Sequence, residues 1–447
     1  MLMLMFILTY SLLVVTSDRT LSSAFTKHEN EKVNVKIIFT CVRVKSYNSQ
    51  KFDSFYTTMT YPRAFTTLAT AIASPAIKNV NWGILSTGKI SNDFCQAIRI
   101  TEGATASCVA ARAKDSAQIF ADKHNIEKVH DCYESLVKDP EVDVVYIGSV
   151  ADSHAKLAKM CLDAKKPVVV EKPLALNLDD AHELVAMARK HDVFLMEGMW
   201  SRFFPAMKKA RELVDNGAIG EPVMVQADFG WNTKDCTPED RMWNRLSGGM
   251  TYDIAMYCAM LGQVGFRGSS VNSVHAICSN YRNGMEQTVL ANILFDKVGG
   301  AGMGALQFYV TGQANTEERT VIQGTSGRIT IAPPAHTPHK LTVNYNTGRG
   351  ESKEEVMEYP LPDDTWADWY YPGSIGFTYQ IEAVNECIRK GKEECDTFTL
   401  DDSLQLAYLM DEILEQAGHE GFIEAKAIRQ NSQHKGDQEN DPVSVVA

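Results

Sequence analysis

The sequence has no run of basic residues to offset its formal charge of −12. Phosphate contacts need clustered Lys and Arg, so nucleic acid is a poor partner for this chain and small-molecule chemistry a better one. It has no C-x-x-C pair either: ten cysteines are scattered along the chain, among them Cys95, Cys108, Cys132, Cys161 and Cys258. That pattern argues against a disulfide framework and against a zinc site, so no metal is expected and the thiols read as reduced and mostly buried. No internal repeat or low-complexity core is visible. The one markedly apolar run, Met1 to Val15 (MLMLMFILTYSLLVV), is too short for a comfortable membrane span. What remains is an ordinary globular composition, 45% hydrophobic and 22% charged. At 447 residues the chain exceeds the size at which a single core stops growing, which predicts two domains with tails.

The first 77 residues read differently from the rest. The initial apolar run has the length of a secretory h-region but lacks a basic n-region, and YPRAFTTLATAIASPAIKN is rich in hydroxyls and poor in acid, like an organelle transit peptide. SSAFT, Ser22 to Thr26, resembles the Ala-Phe junction of plastid presequences. A targeting segment and an upstream start codon misassigned before Met59 both fit, and both leave 1–77 outside the folded protein. Organelle or secretory targeting therefore stays open beside a cytoplasmic location. At the other end, 428–447 contains the polar, unpatterned NSQHKGDQENDP and reads as a disordered tail.

From Asn81 the chain alternates short apolar runs with amphipathic stretches: VNWGIL, KISNDFCQAI, TASCVAA, DSAQIFADKH, then VDVVYIG, SHAKLAKMCLDA, PVVVE, DDAHELVAMARKH and VFLME. Continuous apolar strands separated by helices indicate a parallel sheet covered on both faces, a doubly wound α/β domain over 78–197. After the helix in FFPAMKKARELVDNGAIG the texture becomes strand-rich, with period-two runs such as PVMVQADFG, TVLANILF and GALQFYVTG. A large, open, mostly antiparallel sheet with helices, an α+β domain over 198–427, is the expectation.

In a doubly wound sheet the dinucleotide lies at the first strand-to-helix turn, here Ser86-Thr87-Gly88-Lys89-Ile90-Ser91. Only the middle glycine of G-x-G-x-x-G is present, so the position after the first strand, more than the motif, marks these residues as a cofactor site. The second strand ends in VAARAKD, with Arg112 and Lys114 where NAD sites usually carry an acid. A cation there favours a 2′-phosphate, hence NADP over NAD. The fourth strand delivers Tyr146 and, beyond it, His154 to the same edge, and the fifth delivers Glu171-Lys172-Pro173. A lysine fixed there by a proline can hold a substrate hydroxyl beside a nicotinamide and lower the pKa of a neighbouring acid.

WGILSTGKIS, EKPLALN, FLMEGMWSRFFP and GGMTYDIAMYC together resemble the Gfo/Idh/MocA oxidoreductase family, in particular its branch of dimeric trans-dihydrodiol and NADP-dependent D-xylose dehydrogenases. The resemblance spans roughly Asn81 to Gly418. It implies a Rossmann domain, a second domain whose open sheet makes homodimer contacts, and oxidation of a vicinal diol or aldose with NADP. By that likeness the catalytic lysine falls on Lys172, and the family's DIGxH or DIGxY helix falls on Asp253-Ile254-Ala255-Met256-Tyr257. Tyr146 and His154 would lie beside the cofactor. Independently, Asp253 and Tyr257 are one helical turn apart and project from one face. Tyr257 is expected to exchange a proton with substrate, with Lys172 lowering its pKa; a relay through Lys172 itself is the variant. Asp253 orients substrate or lysine, and Trp200 and Arg202 are candidates for lining the substrate pocket. Other readings of the chain are a non-catalytic NAD(P)-binding regulator and another sugar or inositol oxidoreductase of the family.

Overall fold

The computed structural model describes residues 78–298, 302–348 and 351–439; the candidate presequence 1–77 lies outside them. The first sheet is built from β1 (Val80–Leu85), β2 (Ala104–Ala110), β3 (Lys128–His130), β4 (Val144–Ile147), β5 (Val168–Glu171) and β6 (Leu195–Gly198). Their order is β3-β2-β1-β4-β5-β6, and every pair is parallel. Every residue of β4, β5 and β6 is buried, which explains why these strands read as continuous apolar runs. Helices α1 (Lys89–Ile100), α2 (Lys114–His124), α3 (Tyr133–Val137), α4 (His154–Asp163) and α5 (Leu178–His191) make the crossovers. The strand order reverses between β1 and β4, so a crevice opens beyond their carboxyl ends, where open α/β sheets hold ligands.

Helix α6 (Pro205–Asp215), with proline in its first turn, leads into the second sheet. That sheet contains β7 (Pro222–Gly230), β8 (Ser270–Arg282), β9 (Met285–Asp296), β10 (Met303–Thr311), β11 (Thr320–Gly324), β12 (Gly327–Ile331), β13 (Lys340–Gly348) and β14 (Glu351–Glu358). The order is β14-β13-β12-β11-β7-β10-β9-β8, with β7 and β10 the one parallel pair. The expected open, mostly antiparallel sheet is therefore present. Strand β14, ESKEEVME, has too many charges to read as a strand; it forms the sheet's edge, where charge blocks further pairing.

Between β7 and β8 the chain makes a π-helical turn, Thr251–Ala255, and runs on into α7 (Met256–Gly265), whose ten residues are all buried. Helices α8 (Phe377–Arg389), α9 (Leu400–Ala417) and α10 (Glu420–Glu439) follow the second sheet. Helix α8 returns to the first sheet: Trp82 Nε1 donates to Asn385 Oδ1 at 3.0 Å, and Phe377 packs edge-on against Phe94 with centroids 5.5 Å apart. The two sheets thus share one continuous core. Helix α10 continues to Glu439, through part of the segment read as a disordered tail; 440–447 lie outside the described residues. Its first turn is anchored by Phe422 against Tyr252 and Leu414, and once a helix is nucleated each further residue adds one bond.

Candidate active site

Strand β5 carries Glu171 and Lys172 to the crevice, and the π-helical turn carries Asp253 to meet them from the other half of the molecule. Lys172 Nζ donates to the backbone carbonyl of Asp253 at 2.6 Å and lies 3.8 Å from its carboxylate. The same ammonium sits 5.1 Å from the ring centroid of Tyr257. π-Helical turns are rare and widen the helix, a geometry found often at functional sites. Here the widened turn presents a main-chain oxygen to a lysine. Asp253 is in turn held by Arg241, whose guanidinium donates to Oδ1 at 2.9 Å, and Tyr371 hydrogen-bonds to the same guanidinium.

The electrostatics follow from this enclosure. Burial pushes the Lys172 ammonium below the ordinary lysine value, with Arg241 adding to the effect and Asp253 opposing it. Burial also works against the Asp253 carboxylate, but Arg241 and Lys172 outweigh it and hold the group below the ordinary carboxylate range. Glu171, buried behind the lysine, is pushed up to about 7 by desolvation and accepts from the Tyr146 hydroxyl at 2.9 Å. The expected lowering of the Tyr257 phenol is not found. Burial pushes it up instead, against the indole N–H of Trp200, which donates to the phenol oxygen at 2.9 Å and works the other way; the Lys172 cation lies over the ring face.

Lys172, Asp253, Tyr257 and Trp200 therefore form one cluster. Arg202 is not part of it: only 2% exposed, it points to the Thr397 carbonyl (3.2 Å) and the Phe398 ring, so its expected place in the pocket wall is corrected to a place in the core. Tyr146 is fully buried and stacked on Phe94, with centroids 3.6 Å apart, so it backs the crevice without opening to it. His154 is buried as well, its Nδ1 2.7 Å from the Pro173 carbonyl and its Nε2 3.1 Å from that of Ser149. It ties the loop after β5 to the loop after β4. No local motif marks His336, which stacks on Phe229 (4.9 Å) and lies 5.5 Å from the Tyr257 ring, paired through Nδ1 with Glu318. Nor does one single out Arg241 and Tyr371, which come from separate long loops; Arg241's one signal is its place in the loop just before Gly248-Gly249.

At the other end of the crevice, Ser86, Thr87 and Gly88 turn the chain from β1 into α1, and Lys89 and Ile90 begin the helix. Gly88 caps α1 without a side-chain hydrogen bond, so the first-turn N–H groups are left to a ligand. A Cβ on Gly148, at the end of β4, would lie 2.3 Å from Ser91 Oγ, so the backbone there must stay bare. The uncapped helix start fits a nucleotide diphosphate lying across the turn, and the bare Gly148 lets α1 pack closely against the end of β4. Arg112 is exposed at the end of β2, whereas Lys114 is paired with Asp131 at 2.6 Å. Among the described residues Cys108, His130 and Asp139 lie close enough to share a metal ion, but the Asp139 carboxylate is taken by Lys128 at 2.7 Å and His130 at 2.9 Å.

A doubly wound nucleotide crevice with a lysine at its mouth defines an NAD(P)-dependent oxidoreductase. Residues 80–199 match the oxidoreductase family with an NAD-binding Rossmann fold, and 207–330 match the GFO/IDH/MocA C-terminal domain. The chain belongs to the GFO/IDH/MocA family. It is 36% identical to trans-1,2-dihydrobenzene-1,2-diol dehydrogenase of Xenopus laevis, over 75% of this chain and 98% of that protein. The Sus scrofa enzyme of the same name is 34% identical, over 76% and 97%. Among solved structures, levoglucosan dehydrogenase in complex with NADH and levoglucosan shares the fold, with a TM-score of 0.65, 18% identity, and coverage of 76% and 97%.

Proposed function

We propose that this protein oxidises a carbinol carbon of a trans-dihydrodiol, or of an aldose such as D-xylose, with NADP as acceptor. The observation that carries the reading is the meeting of Lys172 with Asp253 and Tyr257 beside the nucleotide crevice. The identity to dihydrodiol dehydrogenases over almost their whole length supports the diol. Exposed Arg112 supports a 2′-phosphate, since guanidinium and phosphate pair through a charge-assisted fork. Bound across Ser86 to Ile90, the nicotinamide nucleotide supplies the hydride acceptor.

Of the two proton carriers, Lys172 suits the base and Tyr257 the donor. The lysine's lowered pKa brings its neutral form closer to working pH, where it takes the substrate hydroxyl proton. The phenol, pushed up by burial, stays protonated; with its oxygen accepting from Trp200, its own hydrogen is free to fix the substrate oxygen. Asp253, clamped by Arg241, sets the height of the ammonium. A homodimer fits the outer face of the second sheet, where Ile277, Leu290 and Tyr309 are cross-strand neighbours and all exposed.

Incubation with D-xylose or a dihydrodiol, with NADP and NAD in parallel, should show reduced nicotinamide accumulating faster with NADP. Lys172→Met should lower turnover by about two to four orders of magnitude, as loss of a general base does, while nucleotide binding followed by tryptophan fluorescence persists. Normal turnover in that variant would remove the assignment.

A further inference from the structure

A second reactive cluster lies away from the crevice, where α8 hands the chain to α9. Cys387, in the last turn of α8, and Cys395, in the loop that follows, are the two ends of CIRKGKEEC. The chain reverses at Gly391, whose φ of 62° is in the left-handed region that favours glycine. The two thiols are hydrogen-bond partners, the Cys387 S–H directed at the Cys395 sulfur. Both are largely covered, yet both line a cleft of about 290 Å³ whose wall includes Lys208, Lys390 and Lys392. Lys390 pairs with Glu386 and Lys392 with Asp396.

We propose that Cys387 and Cys395 form a peroxide-sensitive dithiol that closes to an intrachain disulfide. The thiolate of Cys395 attacks one peroxide oxygen; the S–O bond forms, the O–O bond breaks, and the hydroxide released leaves as water with a proton. Cys387, giving up its own proton, then attacks the sulfenic sulfur; the S–S bond forms, the S–O bond breaks, and a second water leaves. Two thiols are oxidised, one hydrogen peroxide is reduced, and no other reactant is required.

Two observations separate this pair from the other thiols. The Cys395 sulfur accepts from the Cys387 thiol and, despite burial, from the backbone N–H groups of Thr397 and Phe398, which together hold it below the ordinary thiol range. Burial instead pushes Cys108 and Cys161 up to about 12 and raises Cys95 and Cys258 as well, leaving them inert. The pair also touches the candidate active site through the backbone. The Thr397 carbonyl accepts from Arg202 at 3.2 Å and from Arg211 at 2.9 Å, and Arg202 belongs to the same 3₁₀ turn as Trp200, the donor to Tyr257.

The test is chemical and independent of turnover. The full chain is treated with stoichiometric hydrogen peroxide, its remaining thiols are alkylated, and the peptides are mapped without reduction. A Cys387–Cys395 cross-linked peptide that dithiothreitol reverses is expected, with Cys95, Cys108 and Cys161 still alkylated after unfolding. In Cys387→Ser, Cys395 should stop at a sulfenic acid trapped by dimedone, and Cys395→Ser should slow peroxide consumption about tenfold. On the unmodified protein, alkylation of Cys395 by iodoacetamide should reach half its maximal rate at a lower pH than that of exposed Cys132. Oxidation that begins at exposed Cys132, or that carries Cys395 to a sulfinic acid while Cys387 stays free, would overturn the pairing.

Discussion

At Lys172 two opposing effects meet. Desolvation favours the neutral amine, and the carbonyl and carboxylate of Asp253 favour the ammonium. Arg241 acts on both sides of this balance: it repels the ammonium directly, and it keeps ionised the Asp253 carboxylate that attracts it. With Asp253 still ionised beside Lys172, removing the guanidinium takes away the direct repulsion and raises the lysine's pKa. Since oxidation draws on the unprotonated amine, Arg241→Gln should shift the alkaline-rising limb of the pH–rate profile to higher pH by about one unit, lowering turnover near neutrality roughly tenfold. An unmoved limb would mean that Lys172 does not titrate in the rate-limiting step. Lys172 and Tyr257 were legible because each sits in a short motif, the one directly after a strand and the other on a helix. Arg241, Tyr371 and His336 were not, because they reach the site from loops whose course is set by distant packing.

The turn between β1 and α1 shows what an element can conceal from its sequence. Ser86 takes the place of the first glycine of the dinucleotide fingerprint and adopts a φ of 82°, a conformation that costs a residue with a Cβ about 1–2 kcal/mol. Ser86→Gly should therefore raise stability by up to about 1 kcal/mol, read as a higher thermal midpoint, with nucleotide affinity kept. A lower midpoint would show that the serine hydroxyl stabilises the turn more than its backbone strains it. The period of the apolar pattern announced helix and strand alike, but the π-helical start of the α7 segment left no such trace. Its one clue is Gly248-Gly249, where Gly249 has a φ of 91° and a Cβ would lie 2.4 Å from Glu286 Oε1.

For the whole molecule, the second sheet leaves a row of apolar side chains in water. Ile277, Leu290 and Tyr309 face one another across β8, β9 and β10 and are 64%, 41% and 43% exposed. A monomer rarely leaves such a row bare, and a second copy of the same sheet would cover it by two-fold symmetry. Leu290→Glu, which sets a like charge against its symmetry mate, should halve the mass seen by sedimentation while leaving the circular dichroism unchanged. Sedimentation of the unaltered chain as a monomer would remove the dimer altogether.

The sequence by itself determined the α/β class, most of the succession of elements, the turn between β1 and α1, and the lysine, aspartate and tyrosine of the cluster, because periodicity and short motifs are local properties of the chain. Tertiary structure alone decided that Lys172 lies over the Tyr257 ring, that Arg241 and His336 join them, and that Arg202 turns into the core. Those outcomes depend on contacts between residues far apart in sequence, where burial and neighbouring charge, which no local pattern encodes, set both the geometry and the protonation of each group.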